Sequence, residues 1–225
     1  MRLLVRALAV SLIGVKGNWN KCCARSLLPI LLMVAFAFSR WPGLLPWNFS
    51  VFYALAFCGG VFLPRKLAWW LPLTTLAVTD VFLNFYHTSK GYDAWQIDQL
   101  FNYVAAAALI WLGTRFNPRA SMWKLVSGGL LGAILFYLIT NTASWLFNPF
   151  NNPEYVKTFG GWLIALTKGT AGYPETWQFF RNTLLSGGLF TALFAGAMKL
   201  AEAMEPKEEK DEEPEPAIEP EKTEA

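Results

Sequence analysis

Apolar and polar positions divide this chain into long greasy stretches separated by short polar or proline-bearing breaks. A helix that crosses a bilayer needs about 20 mostly apolar residues, with a working range of about 17–25. Six stretches approach that length: Ala24–Arg40, Asn48–Leu63, Leu67–Tyr86, Ile97–Thr114, Trp123–Phe147 and Trp177–Leu200. The first two are short, and Pro42 and Pro46 interrupt the connection between them. Arg25 and Arg40 would snorkel at the ends of the first. The fifth connection, 148–176, is long and rich in Pro, Gly and Asn, and its middle, Tyr155–Leu166, reads as a short interfacial helix carrying Trp162. The expected fold is all-α: a six-helix transmembrane bundle with that interfacial helix in its fifth loop.

Composition supports the membrane class. The chain of 225 residues is 54% hydrophobic and 16% charged, whereas soluble domains average about 25% charged residues. The charge is also segregated. Residues 202–225 hold 11 of the 16 acids and 3 of the 19 bases, so the rest of the chain holds 5 acids and 16 bases. That tail, with Pro206, Pro214, Pro216 and Pro220 among its acids, cannot bury a core. The expected organisation is a basic cytoplasmic N-terminal segment (1–25), a six-span domain (26–200) and a disordered acidic tail (201–225). A soluble enzyme, a disordered scaffold and a disulfide-stapled secreted module are excluded. Residues 1–15 imitate a signal peptide, but no convincing cleavage site follows before Lys16, Lys21 and Arg25; a cleaved signal is the weaker alternative. Cys22, Cys23 and Cys58 suggest neither a disulfide framework nor a zinc site.

Orientation follows from lysine and arginine, which gather in cytoplasmic loops. Arg2, Arg6, Lys16, Lys21 and Arg25 precede the first span; Arg65 and Lys66 follow the second; Arg115, Arg119 and Lys124 follow the fourth. The alternate connections are poorer, so both termini are expected in the cytoplasm of a bacterial inner membrane. The basic excess is then positive-inside charge rather than a nucleic-acid footprint. Tryptophans at 41, 47, 69, 70, 95, 111, 123, 145 and 177 lie near segment ends, as an interfacial aromatic belt requires.

Polarity inside a span is expensive, so it marks the candidate chemistry. Asp80, Asn84 and His87 share one helical face; Asp98 and Asn102 repeat the four-residue spacing; Tyr137, Asn141 and Trp145 align; Gln178, Arg181 and Asn182 cluster; Asn48 opens the second span. Asp80 stands thirteen residues past Leu67, or about 20 Å at 1.5 Å per residue. All these groups therefore fall in the outer half of a core about 30 Å thick. Two readings stay open. The groups satisfy one another as interhelical glue, with Asp80 paired to Arg181, or they line an aromatic-walled cavity open to the outside. Clustering at one depth favours the cavity. Its candidate ligand-binding residues are Asn48, Asp80, Asn84, Asn102, Tyr137, Asn141, Trp145, Arg181 and Asn182. No catalytic residue, metal site or cofactor is expected: the nucleophile-elbow, P-loop and zincin patterns are absent, and one aspartate in a span makes no dyad.

Pro46-Trp47-Asn48-Phe49-Ser50, Ala54 to Gly60, Leu71-Pro72-Leu73 and Val78-Thr79-Asp80 form a recurring pattern, joined later by Thr140 to Leu146 and Phe179 to Leu185. Over residues 26–200 the chain resembles an uncharacterised family of small bacterial integral membrane proteins. That family is in turn similar to the substrate-binding S components of energy-coupling factor (ECF) transporters. The resemblance implies six helices, cytoplasmic termini and an outer pocket for a small molecule, vitamin-like or a cation. It also implies separate coupling and ATPase subunits as partners, met by a small-residue motif in the first span, for which only Ala35 and Ser39 are available here. The alternative is a structural or regulatory membrane protein whose acidic tail binds a cytoplasmic partner.

Overall fold

The sequence Phe-Tyr-Ala-Leu-Ala-Phe-Cys-Gly-Gly-Val-Phe at 52–62 is apolar on every side. A helix of that kind has no face to offer water and belongs inside. In the computed structural model, which describes residues 31, 33–92 and 94–204, it is the core of the molecule. Every residue from Val51 to Gly59 is buried. Around it the described residues form helices and no strand: α1 (33–39), α2 (Phe52–Phe62), α3 (Arg65–Ser89), α4 (Leu100–Gly113, entered through a 3-10 turn at Ile97–Gln99), α5 (Met122–Phe147), α6 (Phe159–Thr167) and α7 (Thr176–Met204). The expected elements appear within a few residues of their sequence boundaries, the fifth-loop helix included. The basic lead-in at 1–25, the start of the first stretch and the tail from 205 onward lie outside the described residues.

Helix α2 packs against α3, α4, α5 and α7, and α5 and α7 lie along each other. Close approach is bought with glycine. A Cβ on Gly60 would meet the Ile110 carbonyl and come within 3.0 Å of the Gly113 Cα, while one on Gly113 would overlap the Phe57 carbonyl. Backbone therefore touches backbone where α2 crosses α4. Thr158 caps α6 by accepting from the Gly161 N–H at 3.1 Å, and Asn148 ends α5 in the left-handed region at φ 41°.

Two helices, α5 and α7, are long and apolar enough to cross a membrane. Helix α3 has 25 residues, whereas α2 has 11 and α4 has 14. The outward surfaces are apolar. Trp70, Val78, Val81, Phe82 and Phe85 form one exposed stripe on α3, and Leu185, Leu189 and Leu193 repeat it on α7. The two ends of the bundle differ in charge. The starts of α3 and α5 carry Arg65, Lys66 and Lys124 at one end, where Arg119 also meets Glu202 of α7 at 3.7 Å. The starts of α2, α4 and α7 and the ends of α3 and α5 meet at the other.

Candidate functional site

Between α1 and α2 the chain runs without helix from 40 to 51. Pro42 and Pro46 lack the N–H a helix needs, and Gly43 and Asn48 take positive φ, 81° and 59°. This segment folds back over the ends of α2, α3, α4 and α5 and encloses a cavity of about 580 Å3, most of whose wall is residues 39–50. Phe36 of α1, Phe52 and Tyr53 of α2, Leu76, Leu83 and His87 of α3, Asn102 of α4 and Phe136 of α5 also line it.

The segment is pinned at several points. Asn182 on α7 donates to the Trp47 carbonyl at 2.9 Å, and Trp47 stacks on Phe179 with ring centres 5.7 Å apart. The Tyr53 hydroxyl donates to the Asn48 carbonyl at 3.2 Å. Ser50 accepts from the Phe52 N–H at 3.1 Å, and Ser39 lies 3.4 Å from the Ser50 hydroxyl.

Arg40 is the strongest anchor. Its Nη1 meets Asp80 Oδ1 at 2.5 Å, donates to Thr79 Oγ1 at 2.8 Å and approaches the Leu76 carbonyl at 3.5 Å. Asp80 is 8% exposed, so its charge is compensated inside the protein rather than by water. The guanidinium also sits over the Phe36 ring, 5.8 Å from its centre. The second carboxylate oxygen, Asp80 Oδ2, is buried without a hydrogen-bond partner. The Tyr103 phenol on α4 stands beside this pair and interacts with both the Asp80 carboxylate and the Arg40 charge.

The expected Asp80–Arg181 pair is replaced by Asp80–Arg40. Arg181 is exposed, stands over the Trp177 ring at 5.7 Å and reaches only the neighbouring Asn182 Oδ1 at 3.5 Å. Arg40 does not snorkel outward as its place at a helix end suggested; it turns inward to the acid.

The other candidates divide between the cavity and its supports. Asn48 and Asn102 line the cavity. Asn84 exchanges two hydrogen bonds with Gln99, at 2.9 and 3.2 Å, which ties α3 to the entry of α4, and Asp98 accepts from Ser144 at 3.0 Å. Tyr137, Asn141 and Trp145 belong to a different arrangement, the seat of the fifth connection. Tyr137 donates to the Leu166 carbonyl, the Trp145 indole to the Val156 carbonyl at 2.8 Å, and the Trp162 indole to Thr142 at 3.0 Å. Lys157 places its ammonium on the Trp145 and Leu146 carbonyls at the end of α5. The Asn141 amide is spent on the Tyr137 carbonyl within its own helix, at 2.9 Å. Burial raises the Tyr155 phenol above its ordinary 10.0, and the adjoining Glu154 carboxylate acts in the same direction.

Sequence reasoning missed Arg40, Gln99 and the 40–50 segment as builders of a site. A signal for Arg40 existed: a buried acid needs a cation, and Arg40 stands at the same end of the bundle as Asp80. Spacing alone does not choose between Arg40 and Arg181.

Among the described residues, fold and cavity together define a helical protein with an enclosed central helix, two helices long and apolar enough to cross a membrane, and a cavity roofed by an irregular strap. Residues 20–209 match the family of unknown function DUF6580, and the chain belongs to that family. No curated protein and no solved structure matches it.

Proposed function

We propose that this protein is a six-span membrane protein of the bacterial inner membrane that binds a small molecule in the cavity at its outer end, as the substrate-binding subunit of an uptake system. The carrying observation is that cavity, which opens among helix ends opposite to the Arg65, Lys66 and Lys124 end. Positive-inside bias puts the basic end in the cytoplasm and the cavity outside.

Length bookkeeping supports the bilayer. At 1.5 Å per residue α3, α5 and α7 reach about 38, 39 and 43 Å, enough to cross about 30 Å of hydrocarbon. Helix α2 reaches only about 17 Å. Non-helical backbone is tolerated at membrane depth where protein buries it or where it lines a cavity. The 40–51 segment that precedes α2 lines one. The exposed apolar stripes on α3 and α7 suit lipid, whereas a water-facing monomer rarely carries such contiguous surface.

An S-component-like role with separate coupling and ATPase subunits rests on the sequence resemblance. No catalytic step is assigned to the chain. Purification from its native membrane in mild detergent, followed by native mass spectrometry, tests the reading. A small molecule retained by the protein and lost when the cavity is filled by Ser50→Trp supports it. A protein that carries no small molecule under any growth condition favours the regulatory alternative, in which the acidic tail docks a cytoplasmic partner. Topology is checked by cysteines placed at Lys66 and Lys90: a membrane-impermeant maleimide added to intact cells should label only the second.

A further inference from the structure

The charge and surface of the cavity specify the chemistry of its occupant, given the reading of it as a ligand site. Among the described residues, Arg40 is the one formally charged residue in the cavity wall. Asp80 does not line the cavity; it stands behind Arg40 and, with Thr79, engages a single guanidinium nitrogen, Nη1. A guanidinium carries five N–H donors in a planar fork that suits two-pronged contact with a carboxylate, phosphate or sulfonate. Asp80 and Thr79 therefore hold the guanidinium in place, while Arg40 remains part of the cavity wall. An anion in the cavity lies nearer to the cation than to Asp80, and so gains more from the pair than it loses.

Much of the remaining wall is aromatic. Phe36, Trp41, Trp47, Phe52, Tyr53 and Phe136 surround the space. Ring faces of this kind stack on a flat unsaturated body. The wall also offers neutral hydrogen-bonding groups in Asn48, Asn102 and Ser50. A volume of about 580 Å3 lies within the span of ordinary small-molecule sites, about 300–1,000 Å3.

We propose that the cavity takes a ring-bearing organic anion, with Arg40 as the receptor of its negative group and the aromatic wall as the seat of its ring. A cation is disfavoured, since it would face Arg40 with no acid among the described residues of the wall to offset the repulsion.

The test uses the full chain in lipid nanodiscs and three probes that share one ring: indole-3-acetate, indole-3-acetamide and tryptamine. Binding is read by saturation-transfer NMR against empty nanodiscs, with Ser50→Trp as the filled-cavity control. The expected order is anion first, then amide, then cation, with at least a tenfold preference for the anion over the amide. Arg40→Lys should keep part of the preference, because charge remains while the fork is lost. Arg40→Gln alone strands a buried carboxylate, so the decisive variant is Arg40→Gln/Asp80→Asn, which removes both charges and keeps neutral groups of similar shape. It should bind the anion no better than the amide. An undiminished anion preference in that double variant overturns the assignment to Arg40. A preference for amide or cation that Ser50→Trp abolishes overturns the anion proposal and leaves the ligand site standing. No cavity-dependent binding by any of the three overturns both.

Discussion

Removing both partners of the Arg40–Asp80 pair should cost far less than the sum of removing each alone. Asp80 is 8% exposed, so Arg40→Gln leaves a buried carboxylate without its cation. Stranding one member of a buried pair costs about 3–5 kcal/mol. The Arg40 side chain keeps 21% of its exposure and the Asp80 side chain 11%, which places this pair toward the lower figure. Asp80→Asn is milder, because Arg40 retains Thr79 and access to the cavity; about 2 kcal/mol is expected. The double variant replaces two charges by two neutral hydrogen-bonding groups and should lose about 1–2 kcal/mol. The coupling is then about 3 kcal/mol, well above the few tenths seen for independent sites. Reversible unfolding in mixed micelles, followed by tryptophan fluorescence as the denaturing detergent is raised, measures all four corners of the cycle. Arg181→Gln supplies the control, since Arg181 is exposed and contacts Asn182 and the Trp177 ring rather than Asp80. Its loss should add simply to that of Asp80→Asn. Additive costs for Arg40 and Asp80, or strong coupling between Asp80 and Arg181, would refute the geometry on which the site is built.

Gly113→Ala should destabilise by about 2 kcal/mol or more through overpacking against the α2 backbone, whereas Gly196→Ala, with nothing within 4 Å of its new methyl, should be neutral or stabilising by up to about 1 kcal/mol; the same unfolding assay compares them. Trp162→Phe deletes the indole bond to Thr142 and should cost about 1 kcal/mol, with faster amide exchange along Phe159–Thr167 as the local readout. Because the folded state holds the Tyr155 proton more tightly than the unfolded chain does, the stability from that group is complete below pH 10.0 and is lost as pH rises above it. Tyr155→Phe should therefore flatten the alkaline limb of the stability curve; an unchanged limb refutes it.

Much of the fold was legible because lipid-length apolar runs are local signals. The stretches later seen as α3, α5 and α7 announced themselves by length, and the Tyr155–Leu166 stretch carrying Trp162 announced α6. The site was only partly legible. Polar residues in apolar runs marked the correct end of the bundle, since Asn48, Asp80, Asn84 and Asn102 all fall at or beside the cavity. The roles within that set were hidden. Tyr137, Asn141 and Trp145 share a helical face with the same spacing as a binding stripe, yet that face seats the fifth connection. Periodicity reports which residues point together; it does not report what comes to meet them.

The sequence by itself determined the helical class, the approximate element boundaries, the segregated charge and the end of the molecule where polarity collects. Each depends on one residue and its near neighbours, through helix periodicity, side-chain hydrophobicity and loop charge. The tertiary structure alone decided that α2 is the enclosed core, that residues 40–50 roof a cavity, and that Asp80 answers to Arg40 rather than Arg181. Those outcomes depend on which backbones approach closely enough to touch, as Gly60 and Gly113 allow. They also depend on which of two arginines, 40 residues before the acid or 101 after it, folding carries to the same place.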